Sequence, residues 1–124
     1  MNIRSEEKLA TCDPRLQRIT ERADKRMPLV VIGGERDREQ QRQNIINGVS
    51  WTMDSLHLRR PSLAVDLAPK PIDWKNISAF FKLKEIMFEE AAADGVTLRW
   101  GADWNMNGRT ERGENDYGHY EIYE

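Results

Sequence analysis

Between Ser62 and Ala91 the apolar pattern changes period, which restricts the chain to folds that combine strand and helix. Over Ser62–Leu67 the alternation is strict. Leu63, Val65 and Leu67 take one face, while Ser62, Ala64 and Asp66 take the other, as in a half-buried strand. Pro69 and Pro71 end that strand. From Asn76 onward, Ile77, Phe80, Phe81, Lys84, Met87, Phe88 and Ala91 recur at helical spacing and predict the main core helix, stopped by Gly95. Phe80, Phe81 and Phe88 are read as core packing, because aromatics at this spacing belong inside.

The flanking segments extend the same mixture. Asp13 is a good N-cap with Pro14 at the first helical position, and Leu16, Ile19 and Ala23 follow, predicting a helix over Asp13–Arg26. Leu29–Ile32, closed by Gly33-Gly34, reads as a short buried strand. Asp37–Asn47 is polar and helix-forming, and Val96–Trp100 and Tyr120–Tyr123 are the remaining strands. The expectation is an α+β fold, a small antiparallel sheet packed against several helices. At 124 residues it forms one domain, 1–124, with little room for a second module.

Charge and cysteine usage exclude several classes. The net charge of −2 is spread over dispersed basic residues, apart from Arg59-Arg60, so no basic field for nucleic acid exists. No run of apolar residues is long enough for a membrane span, and Met1–Ala10 lacks the apolar centre of a signal peptide. A cytoplasmic, monomeric protein is expected. Cys12 is the single cysteine, which excludes an internal disulfide, and it reads as an idle buried thiol.

The chain has two histidines, and each lies in a segment with the chemistry of a metal site. The first is Ser55-Leu56-His57, followed by Leu63-Ala64-Val65-Asp66-Leu67. The second is Asp116-Tyr117-Gly118-His119-Tyr120-Glu121. Catalytic zinc takes three protein ligands and leaves a fourth position for water, which two His and one Asp satisfy. Asp66 faces away from its apolar neighbours, beside the small Ala64. His119 and Glu121 share a face if Tyr120 onward is extended. Asp116 precedes His119 by three residues, with Gly118 permitting a turn, so its carboxylate suits a general base near the zinc site's water.

A second pattern, Asp103-x-Asn105-x-Asn107-Gly108 with Glu111 and Glu114, matches a calcium loop. Its flanks are not those of an EF-hand, since Val96–Trp100 reads as a strand. A polar turn held by Asx hydrogen bonds is the competing account.

Together these segments resemble the D-alanyl-D-alanine carboxypeptidase-like (VanY-type) zinc metallopeptidases. Ser55-x-His57 followed by Ala64-x-Asp66 is similar to their SxHxxGxAxD signature, and Asp116-x-x-His119-x-Glu121 to their closing D-x-x-H-x-E. Trp100-Gly101-Ala102-Asp103-Trp104 looks like the WGGDW segment of phage lysins in this group. Gly34-Glu35-Arg36-Asp37 with Gln40 or Gln41 resembles the family's G-x-R-x-x-x-Q stretch. The likeness runs from about Leu9 to Ile122. One departure is that His57 and Asp66 stand nine apart, two more than in the signature, with Ser62 where the motif has Gly. A longer loop over Leu58–Pro61 is the simplest account.

The resemblance implies a hedgehog/D-Ala-D-Ala peptidase-like fold, with zinc ligands at His57, Asp66 and His119 and a catalytic base at Asp116. It implies that Arg36 binds a substrate carboxylate or polarises the scissile carbonyl, for which a permanent forked cation suits; a surface salt bridge is the plainer role. Ser55 and Glu121 would orient the site from behind the ligands. The implied substrate is the stem peptide of bacterial peptidoglycan, and the lysin likeness favours an L-alanyl-D-glutamate endopeptidase over a D,D- or L,D-carboxypeptidase. Without a signal peptide, such a lysin would accumulate in the host cytoplasm and reach the wall after holin-mediated release, with no separate wall-binding module. Two rivals remain: a non-catalytic metal-binding or interaction module of the same fold, and a calcium-binding structural protein built on Asp103–Glu114.

Overall fold

The computed structural model describes residues 1–34, 62–103, 106 and 116–123. Among them three helices and four strands follow in the order α1 (Ile3–Leu9), α2 (Pro14–Arg26), β1 (Leu29–Gly33), β2 (Ala64–Pro69), α3 (Ile77–Ala93), β3 (Leu98–Trp100) and β4 (His119–Ile122). The strands form one antiparallel sheet in the order β1-β2-β4-β3. This is the expected α+β architecture. The expected helix at Asp37–Asn47 lies outside the described residues.

Alternation divides the sheet into two chemically different faces. Val31 pairs with Leu67, Val65 with Tyr120, Trp100 with Tyr120 and Leu98 with Ile122, so these apolar side chains share one face and all are buried. Against that face lie Leu16, Ile19 and Ala23 of α2 and Leu83, Met87 and Ala91 of α3. The other face carries Asp66, His119, Glu121 and Arg99.

The helix ends follow their sequence chemistry. The Asp13 carboxylate accepts from the Arg15 backbone N–H at 2.9 Å, with Pro14 at the first turn. Asn76 caps α3 through Ala79 N–H, and Gly95 takes a left-handed φ of 69° where the chain leaves it. The periodicity does not reveal α1, a charged seven-residue helix. It is fixed by its own cap, Asn2 accepting from Ser5 N–H, and by Val31 N–H donating to the Ser5 hydroxyl at 3.0 Å. Arg22 reaches Asp94 and Arg26 reaches Glu89 between α2 and α3, but these exposed pairs contribute little beside the packing.

Two details differ from the periodic reading. Ile77 and Phe81 are 43% and 40% exposed, whereas Leu83 and Ile86 turn inward with Phe80, Met87 and Ala91. The helix carries two overlapping apolar stripes, and packing on the sheet selects the one containing Leu83. Ser62, in place of the motif's glycine, accepts Asp13 N–H at 2.8 Å and donates its own N–H to Thr11 at 3.0 Å. It thereby ties the start of β2 to the link between α1 and α2. Cys12 is buried beside it, its thiol 3.8 Å from the Ala64 carbonyl.

Candidate metal centre

Asp66 and His119 are direct partners across the antiparallel β2–β4 pair. The alternation that sends Val65 and Tyr120 into the core sends Asp66 and His119 to the opposite face together. His119 Nδ1 lies 3.1 Å from Asp66 Oδ1, and Nε2 lies 2.7 Å from Glu121 Oε1. Glu121, two residues along the same strand, also accepts from the Arg99 guanidinium through Oε2 at 2.6 Å. Arg99 is Glu121's cross-strand partner on β3. Four ionisable groups therefore form one file across three strands: Arg99, Glu121, His119, Asp66.

Asp116 reaches the file from a turn. His119 N–H donates to the Asp116 carbonyl at 3.2 Å, closing Asp116–His119 into a single turn. Gly101 grips that turn from both sides. Its N–H donates to the His119 carbonyl at 2.8 Å, and its carbonyl accepts Asp116 N–H at 3.3 Å. A Cβ at Gly101 would overlap the Asp116 carbonyl and press on His119 Cβ, so only glycine permits this approach. Trp100 adds an indole N–H bond to the Tyr117 carbonyl at 2.8 Å. Gly118 is required for proximity rather than for a left-handed turn, because a Cβ there would meet the Leu67 carbonyl.

Asp66, Asp116 and His119 offer ligand atoms that all lie within 4.8 Å of one another, and among the described residues they form the one such group. An imidazole with two carboxylates is a donor set that suits zinc and other borderline divalent ions. Burial disfavours the charged form of His119. The hydrogen bonds to Asp66 and Glu121, with the charges of Asp66 and Asp116, outweigh that and raise its pKa to about 9. Burial likewise works against an ionised Glu121, but the bonds from His119 and Arg99 hold its carboxyl below the usual range. An ionised Glu121 keeps the proton of neutral His119 on Nε2 and leaves the Nδ1 lone pair toward Asp66, the arrangement a metal ligand needs.

Of the sequence-derived site residues, the structure brings together Asp66, Asp116, His119 and Glu121. His57, Arg36 and Ser55 lie outside the described residues, as do Asn105, Asn107, Glu111 and Glu114 of the calcium pattern. Asp103 is described; its N–H donates to the Trp100 carbonyl at 2.9 Å. Sequence reasoning missed Arg99. Its signal was present in Leu98-Arg99-Trp100, where alternation puts the cation on the polar face.

Comparison with known proteins gives concordant results. A family model described as phage L-alanyl-D-glutamate peptidase matches residues 1–123. The chain is 39% identical over 131 residues to the L-alanyl-D-glutamate peptidase of Escherichia phage T5, covering 95% of this chain and 93% of that protein. Its fold is similar to the crystal structure of the Serratia marcescens L-Ala D-Glu endopeptidase ChiX. That match has a TM-score of 0.81 and 26% identity, and covers 99% of this chain and 89% of the other.

In the metal-free protein His119 should titrate near pH 9 in an NMR pH titration, with Glu121→Gln moving the midpoint down. Because the folded pKa lies above the ordinary 6.5, this group's contribution to stability is complete below pH 6.5 and is lost as pH rises through about 9. A midpoint at or below 6.5 would contradict the paired geometry.

Proposed function

The chain belongs to the phage L-alanyl-D-glutamate peptidase family, and on that premise we propose that it is a zinc-dependent peptidoglycan hydrolase cleaving the L-alanyl-D-glutamate bond of the stem peptide. The observation that carries the metal part of this reading is the convergence of Asp66, Asp116 and His119. We assign the zinc ligands as His57, Asp66 and His119. What zinc supplies when held there is Lewis acidity and a water of lowered pKa.

The protein's own groups do the rest. Asp116 is exposed, unlike buried His119, and its carboxylate stands beside the ligand pair rather than in the strand register. It takes a proton from the attacking water, whose oxygen adds to the alanyl carbonyl carbon. As the C–N bond breaks, Asp116 returns the proton to the departing D-glutamyl amine. Arg99 and Glu121 hold the His119 ring in one tautomer and one orientation throughout. Arg36 is assigned to a substrate carboxylate or to the scissile carbonyl, and Ser55 to orienting the site.

In this reading the protein acts as a monomeric single domain, made in the host cytoplasm and admitted to the wall by holin-mediated release. No helix among the described residues is long and apolar enough to cross a membrane. Calcium held by Asp103, Asn105, Asn107, Glu111 and Glu114 would fix the segment carrying Asp116 and His119 and so switch activity on.

Asp116→Asn should keep its zinc but release D-glutamyl N-termini from purified sacculi roughly 10²–10⁴-fold more slowly than wild type. Loss of zinc from this variant would make Asp116 a ligand, and wild-type turnover would remove it from the mechanism. Calorimetric titration of the zinc-loaded protein should show calcium binding at or below about millimolar concentration, and a silent titration would eliminate the second metal.

A further inference from the structure

The strand that carries Asp66 continues into a turn that presents Trp74. Lys75 N–H donates to the Asp73 carboxylate, Asn76 N–H to the Asp73 carbonyl and Ile77 N–H to the Lys75 carbonyl, each at 3.0 Å. The indole of Trp74 stacks on Phe80 with ring centres 5.6 Å apart and planes 20° from parallel. Phe80 is buried, yet Trp74 is 61% exposed. One face of the indole is therefore clamped and the residue is still largely in water. Exposed apolar area of this kind forgoes about 25 cal/mol per Å² of burial. It marks a contact surface when it is rigid and contiguous with others. Ile72, Ile77 and Phe81, in the same stretch of chain, are also exposed.

These rings reach the turn that carries Asp116, from the helix-packed side of the sheet. Phe80 lies 6.4 Å and Phe81 6.0 Å from the ring of Tyr117, and Trp100 lies 5.9 Å from it. Tyr117 directly follows Asp116, and its carbonyl is held by Trp100. An aromatic path thus runs from the turn bearing the base to the exposed indole. The proposed substrate has a corresponding extension. In peptidoglycan the alanine of the L-alanyl-D-glutamate bond is the residue joined to the muramic acid of the glycan strand, so a sugar lies one residue from the scissile amide. The apolar C–H face of a pyranose is a flat surface that matches an exposed indole face.

We propose that Trp74, backed by Phe80, is a saccharide subsite that takes a sugar ring of the glycan strand carrying the stem peptide. The inference rests on the peptidase reading and extends it from peptide to glycan. Because the indole is already clamped on Phe80, little side-chain ordering accompanies binding.

The test compares two substrates, intact sacculi and a sugar-free L-Ala-D-Glu stem tetrapeptide. Trp74→Ala should lower kcat/KM on sacculi by about tenfold and leave the tetrapeptide within about twofold of wild type, with Trp74→Phe recovering part of the loss. Peptide-free glycan strands added to the wild-type protein should shift the indole N–H resonance that Trp74→Ala abolishes. Equal loss on both substrates, no loss on either, or a dimer in the wild type that Trp74→Ala dissolves would overturn the subsite. The glycan titration needs no turnover. An indole shift in a protein that cleaves neither substrate would uphold the subsite while overturning the peptidase reading.

Discussion

Side chains in a strand alternate, so a one-residue slip between β2 and β4 would turn Asp66 and His119 to opposite faces of the sheet. The hydrophobic core prevents that slip. Val65, Leu67, Tyr120 and Ile122 all have to meet the helices, and the register that lets them do so also sets Asp66 against His119. The polar face that carries Asp66 and His119 is thus specified by the apolar face behind it. Asp66 and His119 are held by packed strands rather than by loops, which makes their mutual geometry rigid.

Behind His119 the arrangement is equally constrained. Glu121 is almost fully buried, and an unpaired buried carboxylate would cost several kcal/mol. Arg99 on one side and His119 on the other offset that cost, so the three groups are stable only as a set. Gly101 and Gly118 contribute by what they lack: without a Cβ at either, the Asp116–His119 turn seats against Trp100–Gly101 and against β2. The aromatic rings from Tyr117 to Trp74 extend this packed platform outward to the surface.

Much of this is legible in the sequence. Alternation in Ser62–Leu67 placed Asp66 on the polar face, and D-x-x-H-x-E placed Asp116, His119 and Glu121 in one short segment. The union of the two segments was not legible, because Asp66 and His119 are 53 residues apart and only strand pairing joins them. Arg99 escaped notice for the same reason, since its partner Glu121 lies 22 residues away across β3–β4. The face of α3 is ambiguous in the sequence because apolar residues fill two stripes, and Phe81, which the spacing assigns to the core, is instead part of an exposed aromatic surface. Trp74, between Pro71 and the helix cap, belongs to no periodic pattern, and its meaning comes entirely from its contact with Phe80.

Anomalous diffraction at the zinc edge from crystals of the metal-loaded protein tests the central claim most directly. The account requires a single zinc peak on the polar face of the β2–β4 pair, about 2.0–2.2 Å from His119 Nδ1 and an Asp66 oxygen, with His119 Nε2 still bonded to Glu121. A peak bound elsewhere, or a zinc ligated through Nε2 with Glu121 displaced, would contradict it.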